Sequence, residues 1–254
     1  MSDLPTVFGH ERFTEKRFYE MRQIIRFRWL FFCFFILFMW KGPAPGSDTL
    51  SGIIEGVHEK YRDLPGLRIE YNREVITRSM SMLGAQAKGD LATGHIYFRP
   101  PHFLRLEQET PKHETLITNG ETLWWYIPHK KSAYKYPSEQ FGKELSLLSD
   151  IFRGFTELEE RFRVEIVDQN DEGEYLIQLK PDPPWQEIDR IRITVTPSHD
   201  IRVLEMYNPL GSLTRFLLKE LEVRDSFEED FFRFVPPEGV QLIEEGGVQK
   251  STEP

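Results

Sequence analysis

The sequence predicts a mainly β fold with helices, in which one large antiparallel sheet curls or closes on itself and helical segments cover an opening or a face. Three observations predict it. Short apolar or alternating runs recur at close intervals from Leu67 to Arg224, each ended by a turn signal. Asn119-Gly120 lies between Leu116-Ile117-Thr118 and Leu123-Trp124-Trp125-Tyr126. Both central residues of a type I′ turn need positive φ, which Asn and Gly tolerate best, so this pair is a strong hairpin signal. Finally, the apolar period lengthens to a helical one in only two places beyond residue 46.

The elements follow in order. Arg22, Arg26 and Arg28 precede an apolar run over residues 29–40, and Ala44-Pro45-Gly46 has the small–any–small form of a cleavage site. The run is shorter than the roughly 20 residues of a spanning helix. Residues 1–46 therefore read as a signal peptide or, if uncleaved, a signal anchor; either exports the remainder. The only cysteine, Cys33, lies inside this run behind bulky apolar residues, which argues against lipidation there and leaves no cysteine for a disulfide or metal site downstream.

Ser47-Asp48 can cap a helix whose stripe is Leu50, Ile53, Ile54 and Val57, ended by Pro65-Gly66. Strands are expected over 67–78, 96–98, 103–108, 114–118, 122–127 and 132–136. A helical stripe then runs through Phe141, Leu145, Leu148, Ile151, Phe152 and Phe155, interrupted at Gly154. Strands resume over 162–168, 175–180, 188–196, 201–207 and 212–224, with a last short one at 232–235. Eleven or twelve strands joined by hairpins cannot stay flat and open at this size. No linker divides the run, so residues 47–243 form one domain, followed by a polar tail over 244–254.

Charge and motifs exclude several functions. Seven of the 32 Lys/Arg and four of the 41 Asp/Glu fall in residues 1–46, so the remainder carries a net charge of −12 and would repel nucleic-acid phosphates. There is no G-x-S-x-G, no H-E-x-x-H and no phosphate-cradling glycine loop. The histidines are scattered without ligand spacing, so no cofactor or metal is expected, and an exported hydrolase has no nucleophile motif to support it.

What remains is apolar surface. Trp124 and Trp125 are adjacent, so on a strand they face opposite sides, and Tyr97-Phe98 and Phe103-Leu104 repeat the pattern. Both sides must meet something apolar. Packing on both faces accounts for an ordinary core; alternatively, part of the surface lines a cavity for acyl chains, whose burial contributes about 0.8 kcal/mol per CH₂.

Gly94–Arg105 (G-x-I-Y-F-R-P-P-x-F-L-R), Thr118–Pro128 (T-N-G-E-T-L-W-W-Y-I-P) and Phe232–Val240 (F-R-F-V-P-P-E-G-V) resemble, in order and spacing, the motifs of the periplasmic lipoprotein carrier family LolA. The resemblance implies a half-open antiparallel β-barrel of about eleven strands covered by a helical lid. It implies a non-enzymatic, monomeric chaperone that takes acylated lipoproteins from an inner-membrane ABC transporter and carries them through the periplasm to an outer-membrane acceptor. A lipid-transfer or lipid-sensing module of the same fold, held on the inner membrane by an uncleaved N-terminal segment, is the alternative. Leu147, Leu148, Ile151 and Phe152 would supply the lid, and Val57, Phe98, Phe103, Trp124 and Leu204 would line the cavity. The family's lid arginine precedes the proline of its R-P pair. Here the chain reads Arg99-Pro100-Pro101, so Arg99 and Arg105 are both candidates for that role.

Overall fold

The computed structural model describes residues 49–82, 89–137, 147–155 and 158–244. Residues 1–46, expected from sequence to be an export segment, Phe141 and Leu145 of the helical stripe, and the tail beyond Glu244 lie outside the described residues.

Helix α1, Leu50–Tyr61, opens on Thr49, whose hydroxyl accepts the Gly52 N–H at 3.2 Å. The cap is thus a residue beyond the Ser47-Asp48 expected from sequence. Ile53, Val57 and Tyr61 recur every fourth residue and form its buried face. The strands among the described residues are β1 (Leu67–Ile76), β2 (Asp90–Arg99), β3 (Phe103–Thr110), β4 (Glu114–Thr118), β5 (Thr122–Ile127), β6 (Ser132–Pro137), β7 (Phe162–Gln169), β8 (Tyr175–Pro181), β9 (Arg190–Val195), β10 (Ile201–Tyr207), β11 (Leu213–Val223) and β12 (Gln241–Glu244). A short helix α2 (Arg78–Met82) ends the first strand sooner than the expected residue 78. Residues 147–152 form α3, and Leu158–Arg161 forms α4.

All twelve strands belong to one sheet, ordered β12-β6-β5-β4-β3-β2-β1-β11-β10-β9-β8-β7. Two antiparallel meanders, β1–β6 and β7–β11, are joined because the first strand of one pairs with the last of the other. The two edges, β12 and β7, do not pair, so the sheet is an open one. It is curled, because inward residues from both meanders meet in a single hydrophobic cluster with α1 and α3.

The expected hairpin at Asn119-Gly120 is present with different turn chemistry. Gly120 has φ of +94°, but Asn119 does not have positive φ. Its side-chain Oδ1 instead accepts the N–H groups of Glu121 and Thr122, each at 3.0 Å, closing a longer loop. The expected strand at 232–235 is absent. This stretch belongs to an irregular strap that leaves β11 and crosses the outside of β2–β5 before β12 pairs in parallel with β6. Aromatic residues without period-two alternation explain the difference: Phe231 packs on Tyr97, Phe232 on Phe103, and Phe234 on both Trp124 and Tyr126.

The outside of the second meander is polar instead. Arg215 joins Glu205 (2.7 Å) and Glu74 (3.2 Å), Lys219 joins Glu70 (2.8 Å) and Arg68 joins Glu222 (2.6 Å). Each such half-exposed pair contributes little, roughly 0–1 kcal/mol, but this face needs no apolar cover.

Burial pushes the Tyr61 and Tyr71 phenols up to about 12. Each binds its proton more tightly folded than unfolded. Their contribution to stability is therefore complete below the ordinary tyrosine value of about 10 and is lost as pH rises toward 12. Phenolate absorbance should show unionised tyrosine persisting at about pH 11 while the protein is folded. Complete ionisation of all nine tyrosines by that pH would contradict the burial of these two.

Candidate functional site: the inner face and its helical cover

The ladder sets the inner face as rows running across strands. One row reads Leu67, Phe98, Leu104, Thr118; the next reads Ile69, Ile96, Leu106, Leu116. Most of these side chains are buried, as are Ile191, Ile193, Leu204 and Leu218 from the other meander. The alternation of β-strands places every second residue here, and the apolar residues at those positions make a continuous hydrophobic surface.

Helix α3 packs against this surface. Leu147, Leu148, Ile151 and Phe152 are at most 3% exposed, and the Phe152 ring lies 5.8 Å from that of Phe98. These four residues meet the sheet with apolar side chains, while Asp150 of the same helix is tied to arginines. Asp150, largely buried, pairs with Arg153 at 2.8 Å and with Arg161 of α4. The α3 end also rests on α1. His58 Nδ1 is 3.1 Å from the Gly154 carbonyl oxygen. Gly154 has φ of +78°, and a Cβ there would sit 2.8 Å from the His58 Cα, so both backbone conformation and close approach call for glycine.

Helix α1 is in turn tied to the β9–β10 turn. Lys60 pairs with Asp200 at 2.5 Å, and the Tyr61 hydroxyl accepts the Ile201 N–H at 3.2 Å. Burial pushes the Asp200 carboxyl up, but hydrogen bonds from Lys60, Ser198 and Thr196 outweigh it and hold it below its ordinary value.

A cleft of about 550 Å³ opens beside β11. The β10–β11 ladder stops at Val203–Leu217, so residues 218–223 have no β10 partner. Ile69, Ile201 and Leu218 line the cleft and also belong to the inner hydrophobic cluster, with Leu217 and Leu221 completing its apolar wall.

Of the residues singled out from sequence, Val57, Phe98, Leu147, Leu148, Ile151, Phe152 and Leu204 come together in this cluster. Arg99, Phe103, Arg105 and Trp124 do not. Each is one residue out of phase with the inner row, so it points to the outer face under the strap. Arg99 lies over the Phe103 and Phe232 rings at 4.1 and 5.0 Å. Arg105 donates to Glu107 (2.7 Å) and to the Phe231 carbonyl oxygen (2.9 Å). Arg99, Phe103 and Trp124 line a separate outer cleft of about 340 Å³. The arginines bonded to the cover's carboxylate are Arg153 and Arg161. Sequence reading missed Ile69 and Leu218; once Phe98 is taken as inward, strand alternation and pairing place both on the same face.

A family model described as "Outer membrane lipoprotein carrier protein LolA" matches residues 82–235. This chain belongs to the LolA family. Relatives named outer-membrane lipoprotein carrier protein include one from Halorhodospira halophila, 26% identical over 199 residues covering 78% of this chain and 88% of the relative. Another, from Nitrosospira multiformis, is 22% identical over 216 residues covering 84% and 96%. Among solved structures, a LolA superfamily protein from Nitrosomonas europaea aligns with a TM-score of 0.41 and 12% identity over 72% of this chain and 97% of that one. An uncharacterized conserved protein from Thermus thermophilus aligns at 0.48 and 9% identity over 76% and 98%. In this LolA-family chain, the matched region spans α3 and every strand from β2 to β11.

Gly154→Ala should push α3 off α1, lowering folding stability by about 1–3 kcal/mol, the scale of a strained backbone position. Denaturant midpoints check this, and an unchanged midpoint would contradict the close docking of the two helices.

Proposed function

We propose that this protein is a periplasmic chaperone that binds the acyl chains of lipoproteins against the inner face of its sheet and carries them from the inner to the outer membrane. One observation carries the reading: among the described residues, α3 packs on the inner face with the apolar side chains of Leu147, Leu148, Ile151 and Phe152. Such a contact has no directional bonds, so another apolar surface can replace it. Burying four such side chains contributes about 6–12 kcal/mol, at roughly 1.5–3 kcal/mol each. A sixteen-carbon acyl chain offers about 12 kcal/mol, at about 0.8 per CH₂. One acyl chain and the four side chains are matched in scale, so entry of a first chain can offset the loss of the helix contact in an exchange between a closed empty state and an open loaded one.

The carrier names of the relatives support the cargo class. The reading of residues 1–46 as an export segment supports the compartment. Loading by an inner-membrane ABC transporter and delivery to an outer-membrane acceptor belong to the same proposal. No side chain of the inner face described above forms a nucleophile–base arrangement, and the role needs none.

Leu148→Asn should cut capture of a triacylated lipopeptide by at least tenfold while leaving the circular dichroism spectrum unchanged, because in the loaded state the amide faces acyl chains and loses its water without gaining a partner. Unchanged capture would remove α3 from the mechanism. Mass analysis of the N-terminus of protein taken from cells separates the free carrier, starting at or near Ser47, from a form anchored by residues 1–46.

A further inference from the structure

Beyond the two apolar rows of the inner face, the ladder places a third of different character. Tyr71 stands opposite Gly94, and Gln108 stands opposite Glu114, with Arg73 one inward position further along β1. The Arg73 Nη2 donates to Gln108 Oε1 at 2.7 Å, and Gln108 Nε2 donates to the Lys112 carbonyl oxygen at 2.8 Å. Trp125 Nε1 donates to Glu114 Oε2 at 3.1 Å. Two donors are left over. The Tyr71 hydroxyl and Arg73 Nε are buried without a hydrogen-bond partner, and Tyr71 as a whole is 0% exposed. Among the described residues no carboxylate is paired with Arg73.

An unsatisfied buried donor costs about 1–3 kcal/mol, and two on adjacent inward positions of one strand are rarely left so without a reason. Alkyl chains offer neither of them an acceptor. The position also fits an acceptor at the end of a chain. Leu218, in the wall of the 550 Å³ cleft, is the direct ladder partner of Tyr71. The surface therefore changes from apolar to hydrogen-bonding within one residue pair.

We propose that Tyr71 and Arg73 form a carbonyl-recognition subsite, in which the Tyr71 O–H and the Arg73 Nε–H donate to ester carbonyl oxygens of a bound acylated molecule whose tails lie on the apolar rows. The proposal rests on the acyl-carrier reading above and adds to it a preference for where the chains are joined. Glu114 stands in the same row, and its charge, with that of Glu109, acts on the Tyr71 phenol against that of Arg73. That balance favours a neutral carbonyl over a phosphate or a free carboxylate. Ester carbonyls occur both on a diacylglyceryl-cysteine and on a glycerophospholipid, so the test has an arm for each.

The full chain is titrated with a palmitoylated triacyl lipopeptide, its ether-linked analogue, dipalmitoyl phosphatidylglycerol and its dialkyl ether analogue, and 1-aminoanthracene, an apolar dye without a carbonyl. The wild-type protein should bind the ester lipopeptide five- to tenfold more tightly than the ether analogue. Tyr71→Phe and Arg73→Met should each weaken the ester ligand three- to tenfold and leave the ether ligand and the dye unchanged, with Arg73→Lys in between. Equal wild-type affinity for ester and ether forms of both lipids overturns the subsite, and this comparison needs no variant to fold. So do equal losses for ester and ether ligands in the variants. An ester preference for the phospholipid alone supports the subsite and overturns the lipoprotein anchor as its source. Failure of the wild-type protein to bind the dye or any acylated ligand overturns the carrier reading itself.

Discussion

Strands β2–β5 carry large apolar side chains on both faces, and this two-sidedness places the elements that cover them. A strand alternates, so Phe98 and Leu104 cannot share a side with Tyr97 and Phe103. Each side then needs its own cover. The inner side is closed by α1 and α3, and the outer side by the aromatic strap around Phe231, Phe232 and Phe234. Where the outer face is charged, as across β1, β11 and β10, cross-strand ion pairs face solvent and no strap among the described residues crosses them.

The two covers differ in how they are held. The strap is fixed at both ends by backbone bonds, from Arg224 N–H to the Gly66 carbonyl oxygen at 2.8 Å and from Gln241 N–H to that of Lys131 at 2.8 Å. Between them, rings stack on rings and Arg99 and Arg105 lie over them. Among the described residues, helix α3 meets the sheet through side-chain packing, and the ties of Asp150 and Gly154 run to Arg161 of α4 and His58 of α1. A cover with few directional bonds to what lies beneath is the one that a hydrophobic ligand can displace. The proposed function uses this difference: the strap stays in place and α3 is the cover that exchanges with cargo.

Much of this was legible in the sequence, for physical reasons. Strand positions follow from alternation and turn residues, and the 3.6-residue stripe of α3 stands out against period two. The face of each aromatic residue was less legible. Near Arg99-Pro100-Pro101 the phase cannot be set without knowing which neighbour points inward, so Phe103 and Trp124 were grouped with Phe98 although they face away from it. The strap was illegible because it has no period; its rings match positions on the sheet, not one another. The Tyr71–Arg73 pair was hidden for a related reason: Tyr71 alternates in phase with Leu67 and Ile69, but an arginine in that phase reads as surface until pairing sets it inward.

The division between the faces can be measured directly. A triacylated lipopeptide carrying a diazirine in its acyl chains is bound to the wild-type protein, photolysed, and the adducts located by mass spectrometry. The account predicts saturable labelling on the inner face and its cover, at residues such as Ile69, Phe98, Leu148 and Leu218. Adducts concentrated on Phe103, Trp124, Phe232 and Phe234 would contradict it, because the cargo would then occupy the face that the strap covers.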